Sequence, residues 1–210
     1  MKQIKQRPQH KPFLNEHLYM PDDLEPRRGH GFLNHVKSEY HKMMSMMPAC
    51  ESLIDIGGHW GTFSMLALGM GKCKKSTVFE PFKQNFEICK ANLDGHSEVY
   101  NAAVVHSDFA GQEVEYIVNP LTPDNGCGFV DLPYNKEWRA WMQRLKLEPK
   151  EVKKIRTIGF DKVLEIDADM LEMDCEGSEI PVLEDKEYLP VQVSLILHNP
   201  PQDICELRQT

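Results

Sequence analysis

Asp55-Ile56-Gly57-Gly58-His59-Trp60-Gly61-Thr62-Phe63-Ser64 decides how this chain is read, because it joins an apolar strand to a helix through a glycine-rich turn. Leu53, Ile54 and Ile56 read as a buried strand, and Met65, Leu66 and Leu68 supply the apolar stripe of the helix that follows. Gly57, Gly58 and Gly61 lack a Cβ, so backbone N–H groups at the helix N-terminus can approach a ligand closely. The spacing then excludes one ligand class. A dinucleotide fingerprint G-x-G-x-x-G starting at Gly57 needs glycine where His59 stands, and one starting at Gly58 needs it where Trp60 stands. What remains is D-x-G-x-x-x-G, a turn for a different nucleotide-like ligand.

The 210 residues suit one domain with a core that needs neither disulfides nor metals. A formal net charge of −8 weighs against broad nucleic-acid binding, which depends on neutralising phosphates with Lys and Arg. Cys50, Cys73, Cys89, Cys127, Cys175 and Cys205 are scattered, with no C-x-x-C pair and no zinc spacing, so they read as reduced thiols. Met1 to Lys11 is polar and basic without an apolar core, and no run approaches membrane-spanning length. These features are read as a soluble cytoplasmic protein with no membrane partner.

Outward from the turn, residues 1–31 are rich in Pro, Gly and charge and read as an irregular arm packed through Phe13, Leu14 and Leu18. Residues 32–210 read as the functional domain. Leu33, Val36, Tyr40, Met43, Met44 and Met47 recur at helical spacing up to Pro48, with the methionines as core filler. After the glycine turn and its helix come a strand at Thr77-Val78-Phe79, a helical stripe at Phe82, Phe86, Cys89 and Leu93, and a third strand over 99–105. This β-α-β-α-β order predicts right-handed crossovers and a mostly parallel sheet flanked by helices. Residues 107–160 look like an insertion: Glu113 to Val118 alternates like a strand, and Cys127 to Val130 can pair with it. Trp138, Trp141, Met142 and Leu145 mark an amphipathic helix, with a further strand at Ile155 to Ile158. Asp169 to Asp174 and Val191 to His198 read as two closing strands with a short helix between them at Ile180 to Leu183.

Ligands of an open parallel sheet sit beyond the carboxyl ends of its strands, where strand order reverses. Polar signals fall at such ends. Glu80, in Phe79-Glu80-Pro81, can accept both hydroxyl hydrogens of a ribose. Asn101-Ala102-Ala103-Val104 offers small side chains beside a flat ring, or simply packs under a helix. Met173-Asp174-Cys175-Glu176-Gly177-Ser178-Glu179 puts three acids within six residues, and such crowding raises a proton affinity or demands a cation. Ser178 reads as an N-cap and Glu179 as a first-turn acid, which leaves Asp174 and Glu176 as the reaction centre.

With these residues assembled, the chain resembles the FkbM family of methyltransferases. The resemblance rests on the D-x-G turn followed by G-T-F-S (Asp55 to Ser64), F-E-P (Phe79 to Pro81), N-x-A-V (Asn101 to Val104) and D-x-E-G-x-E (Asp174 to Glu179). It implies a Rossmann-like methyltransferase fold and S-adenosylmethionine as cofactor. The cofactor-binding residues it implies are Asp55, Gly57, Gly58, His59, Gly61, Thr62, Phe63, Glu80, Pro81, Asn101, Ala102 and Ala103. Asp174 or Glu176 would serve as base, with His198 as a second candidate. No metal-ligating set is assigned, and a divalent cation stays open as another way to acidify a hydroxyl. The methyl acceptor it implies is a hydroxyl on a saccharide or other small natural product. The alternative is a catalytically inactive S-adenosylmethionine-binding or scaffold protein.

Departures from the family pattern are specific. Gly58-His59 stands where the family usually has Ala-Asn, the Thr-Leu-Asp element is present only as Thr157-Ile158-Gly159-Phe160-Asp161, and Ile196-Leu197-His198 lacks the usual acid two residues before the histidine. The sequence ends twelve residues after His198, where the fold usually adds a helix and a β-hairpin. It is read as a short form with an uncovered edge open to oligomerisation, or as a fragment. Asn199-Pro200-Pro201 resembles an N-methyltransferase motif but follows the wrong strand and lacks its aromatic, Gln202 standing there.

Overall fold

The computed structural model describes residues 1–5, 17–22, 34, 38, 40, 41, 43–119, 128–149, 152–185 and 192–195. Strands β1 (Lys2–Lys5) and β2 (His17–Met20) come first, followed by a helical stretch through 43–46. Next come β3 (Ser52–Ile56), α1 (Thr62–Gly69), β4 (Lys75–Phe79), α2 (Lys83–Asn92), β5 (Ser97–Tyr100) and β6 (Ala103–Val105). Then follow β7 (Glu113–Val118), β8 (Gly128–Val130), α3 (Lys136–Arg144), β9 (Val152–Gly159) and α4 (Phe160–Val163). The described elements end with β10 (Met170–Met173), α5 (Glu179–Leu183) and β11 (Gln192–Leu195).

Five strands form a parallel sheet in the order β11-β10-β3-β4-β5. From β3 the chain steps outward to β4 and β5, then returns to β10 on the other side of β3, so the order reverses between β3 and β10. This is the mostly parallel, helix-flanked α/β architecture of a Rossmann-like fold. Along β3 and β10 the side chains alternate between faces, as the period of two requires. Leu53 and Met170 join Trp60, Met65 and Leu66 on the α1 side. Ile54, Ile56, Leu171 and Met173 join Phe160, Val163 and Val182 on the other. Each such buried aliphatic side chain contributes roughly 1.5–3 kcal/mol relative to exposure. Asp55 and Glu172 occupy the alternate positions that share the α1 face, and they are register partners across β3 and β10.

Three expectations need correction. Residues 2–5 and 17–20 are paired antiparallel strands, where an irregular arm was expected. Leu18 and Met20 are buried in the α1-side core, and the Tyr19 amide donates to the Asn92 side chain at 2.6 Å, so packing on α2 fixes the extended backbone. Phe13 and Leu14 lie outside the described residues. The strand expected over 99–105 is two strands in different sheets, broken because the Asn101 amide folds back to donate to the carbonyls of Glu80 and Pro81. The segment after 107 builds a second sheet, β6-β9-β7-β8, in which β9 runs parallel to β6 and antiparallel to β7. The β7–β8 pairing is the antiparallel one expected. Cys127, at its expected start, lies outside the described residues.

Among the described residues Cys50, Cys73, Cys89 and Cys175 are free thiols. No described helix is long and apolar enough to cross a membrane.

Candidate active site

The carboxyl ends of β3, β4 and β10 are laced together by backbone hydrogen bonds. Gly57 and Gly58 donate to the Phe79 carbonyl at 2.9 and 3.1 Å, and the Asp174 amide donates to the Ile56 carbonyl at 2.9 Å. Gly57 has φ +92°, and a Cβ there would lie 2.1 Å from the Asp174 carbonyl oxygen, so only glycine lets these two strand ends meet. His59 adopts a left-handed φ of 49°, uncommon for a residue with a side chain. Side-chain contacts hold it there. Its amide donates to Glu80 Oε2 at 2.8 Å, and its ring stacks on Trp60.

A cavity of about 300 Å³ opens over these ends. Of the residues singled out in the sequence, Asp55, Gly57, Gly58, His59, Thr62, Phe63, Glu80, Pro81, Ala102, Ala103, Asp174 and Glu176 all line it. Gly61 does not. It is the N-cap of α1, held against Leu93 and Cys89, where a Cβ would come within 2.8 Å of Leu93. Asn101 also stands outside the lining, with its amide committed to the Glu80 and Pro81 carbonyls. His198 and Asn199 to Gln202 lie outside the described residues.

The carboxyl groups of the site are of three kinds. Glu80 is buried and accepts from the amides of His59 and Phe82, each at 2.8 Å. Burial pushes its carboxyl up to about 8, against the lowering effect of those amides. Asp174 lines the cavity and its Oδ2 accepts from the Tyr40 hydroxyl at 2.8 Å. Tyr40 in turn packs edge-on against Phe63. Sequence reasoning took Tyr40 only as part of a helical stripe, and periodicity could not show that its hydroxyl reaches the end of β10.

Glu172 and Asp55 are the third kind. Glu172 was read as part of an apolar strand, yet it lines the cavity at 1% exposure, and its one visible signal is an acid inside Met170-Leu171-Glu172-Met173. Asp55 Oδ2 accepts from the Ser64 hydroxyl on α1 at 2.6 Å, whereas Asp55 Oδ1 and both Glu172 oxygens receive no donor from the described residues. Burial pushes Asp55 up to about 6 despite the Ser64 bond. Burial, then the neighbouring Asp55 and Asp174 charges, raises Glu172 well above the usual carboxyl range.

The loop after β10 is held differently from expectation. Ser178 is the N-cap of α5, but its side chain makes no capping bond and its hydroxyl accepts from Asn135 at 2.9 Å. Glu179 instead clasps the loop before the helix: its carboxylate accepts from the amides of Cys175 and Gly177 at 2.8 and 2.9 Å. Glu176 has a left-handed φ of 55°, and Gly177, at φ +94°, sits against the Trp138 ring of α3. Among the described residues no three His, Cys, Asp or Glu side chains are grouped so as to hold a metal ion.

Comparison with known proteins identifies the family. A family model described as the methyltransferase FkbM domain matches residues 55–209. An FkbM methyltransferase structure from Methylobacillus flagellatus is 18% identical with a TM-score of 0.33, covering 64% of this chain and 28% of that one. A proposed RNA methyltransferase from Pyrococcus horikoshii is 15% identical with a TM-score of 0.39, covering 84% and 64%. The chain therefore spans about a quarter of the first of these proteins and just under two thirds of the second. A search of curated proteins finds no match. With the family model covering the strand–turn–helix, the Glu80 strand end and the acidic loop alike, the chain belongs to the FkbM methyltransferase domain family.

Proposed function

We propose that this protein is an S-adenosylmethionine-dependent methyltransferase that O-methylates a hydroxyl on a saccharide or another small natural product. One observation carries the reading: the glycine turn after β3, Glu80 after β4, and Asp174 with Glu176 after β10 converge on one cavity at the point where strand order reverses.

The residues present fit the methyl donor. Asp55 Oδ1 and the Glu172 oxygens are buried acceptors with no donor among the described residues, which suits the positive charge of its methionine part. The two amide bonds that Glu80 accepts leave oxygen lone pairs free for a ribose hydroxyl. Ala102 and Ala103 leave room for a flat base. When bound, S-adenosylmethionine supplies an electrophilic methyl carbon on a sulfonium.

This chain's own contribution is positioning and proton handling. Phe63, Phe79, Val104 and Val130 give the cavity dry walls, and holding reactants in line in such a site is worth roughly 7–11 kcal/mol. Asp174 or Glu176 takes the acceptor's proton, and the Tyr40 hydroxyl fixes the orientation of Asp174.

Calorimetric titration with S-adenosylmethionine and S-adenosylhomocysteine tests the reading, and absence of binding by both defeats it. Given binding, Asp174→Asn and Glu176→Gln should stop transfer of a labelled methyl group to hydroxyl acceptors while sparing affinity. Glu80→Gln should instead weaken binding by about tenfold, the effect of one lost hydrogen bond. Undiminished transfer in both acid variants would remove them from the chemistry.

A further inference from the structure

Glu172 is a charged-type side chain in the middle of the central sheet, with Asp55 as its register partner on β3. Both oxygens of Glu172 and Oδ1 of Asp55 are buried without a donor from the described residues. Ionised carboxylates only accept hydrogen bonds, so the bond open to these two groups is a single proton shared between them. Two buried acids sharing one proton leave a net negative charge, met among the described residues by the Ser64 hydroxyl and by no Lys or Arg of the cavity lining.

The groups facing the pair are acidic or neutral. Asp174 stands after β10, Glu179 on α5 and Glu80 after β4. On the α1 side stand the Ser64 hydroxyl and the thiols of Cys73 and Cys89, which burial keeps protonated. Cys175, likewise raised by burial, and the Tyr40 hydroxyl complete the wall. β11, on the far side of β10, carries no titratable residue type in Gln192–Leu195. Among the described residues, the cavity lining includes no Lys or Arg. His59 is the basic residue type among the described lining residues, and a positive charge on the ligand suits the acidic pair.

We propose that Glu172, paired with Asp55, is a specificity-determining seat for the positively charged portion of the ligand, and that the pair releases its shared proton when the cation docks. This rests on the methyl-donor reading and deepens it by assigning a cation-binding role to a strand-interior residue outside the family's sequence motifs as they appear in this chain.

The experiment is titration calorimetry of the full chain with S-adenosylmethionine at pH 7 in two buffers of different ionisation enthalpy, on wild type and Glu172→Gln. Wild type should release close to one proton per ligand bound and bind more tightly as pH rises. Glu172→Gln should release almost none, bind at least about tenfold more weakly and lose the pH dependence. Should the amide variant not fold, Glu172→Met, apolar and of similar volume, serves in its place with the same expectations. A variant that keeps either wild-type affinity or wild-type proton release overturns the proposal and leaves the methyl-donor reading standing. No binding by wild type overturns both.

Discussion

Two turns meet at the switch point, and they are held by the same device placed differently. After β3, the backbone passes through left-handed His59, and the amides of His59 and Phe82 are taken by Glu80. After β10, it passes through left-handed Glu176, and the amides of Cys175 and Gly177 are taken by Glu179. In each case one buried carboxylate satisfies two amides that regular structure leaves unpaired. The difference lies in where the carboxylate comes from. Glu179 is local, two to four residues from the amides it holds, so the acidic loop carries its own clasp. Glu80 comes from the next strand, so the glycine turn keeps its shape only when β3 and β4 are paired. The first turn is therefore a tertiary construction, the second almost a self-contained motif.

Glycine substitutions break the comparison most strongly. Gly57→Ala puts a Cβ against the backbone of Asp174, which cannot yield without parting β3 from β10. With the left-handed penalty added, it should cost about 2–5 kcal/mol, read from urea unfolding. Gly177→Ala meets the Trp138 ring instead, a side chain that can shift. It should cost less, about 1–3 kcal/mol, with a change in tryptophan fluorescence as its mark.

Removing the clasps comes next. Glu179→Ala leaves two part-buried amides unpaired and should cost about 2–4 kcal/mol. Glu80→Gln sharpens the contrast through pH. The Glu80 proton affinity is raised on folding, from an ordinary 4.5 to about 8, so the folded state binds more protons than the unfolded one across that window. Stability from this group is complete below the unfolded value and is lost as pH rises toward about 8. From pH 5 to pH 6 the wild type should lose up to about 1.4 kcal/mol through Glu80, and thermal melts of Glu80→Gln should show a correspondingly flatter profile. An unchanged slope would mean that the carboxyl is hydrated.

The smallest effect belongs to His59. Its left-handed backbone tolerates Asn, so His59→Asn should change stability by no more than about 0.5 kcal/mol, while β-branched His59→Val should cost about 1–2 kcal/mol. Equal stability of the two variants would mean that the turn relaxes once Trp60 loses its stacking partner.

Much of the site was legible because the punctuation of a strand–turn–helix is local. Asp55 to His59, Thr62, Phe63, Glu80 and Asp174 announce themselves by apolar runs that stop at glycine or proline, and the structure gathers them at one cavity. Asn101 was legible as a polar strand end but not in its direction, since its partners are carbonyls on a different strand. Tyr40 and Glu172 were missed for a related reason. One is a stripe residue of a helix and the other one acid among apolar neighbours, and both become site residues only through elements more than 100 residues away in the chain. The β1–β2 pair was hidden because its strands are short and joined by proline-rich sequence, and its burial depends on docking against α2.

By itself the sequence determined the alternation of strands and helices, the exclusion of a dinucleotide turn and the strand ends that carry acids, because period, glycine spacing and apolar runs act within a few residues. The tertiary structure alone decided which carboxylates are spent on backbone amides and which are left without a donor beside the cavity. That outcome depends on register between strands: Glu80 meets the amide of His59, and Glu172 meets Asp55, only once β3 is paired on both sides.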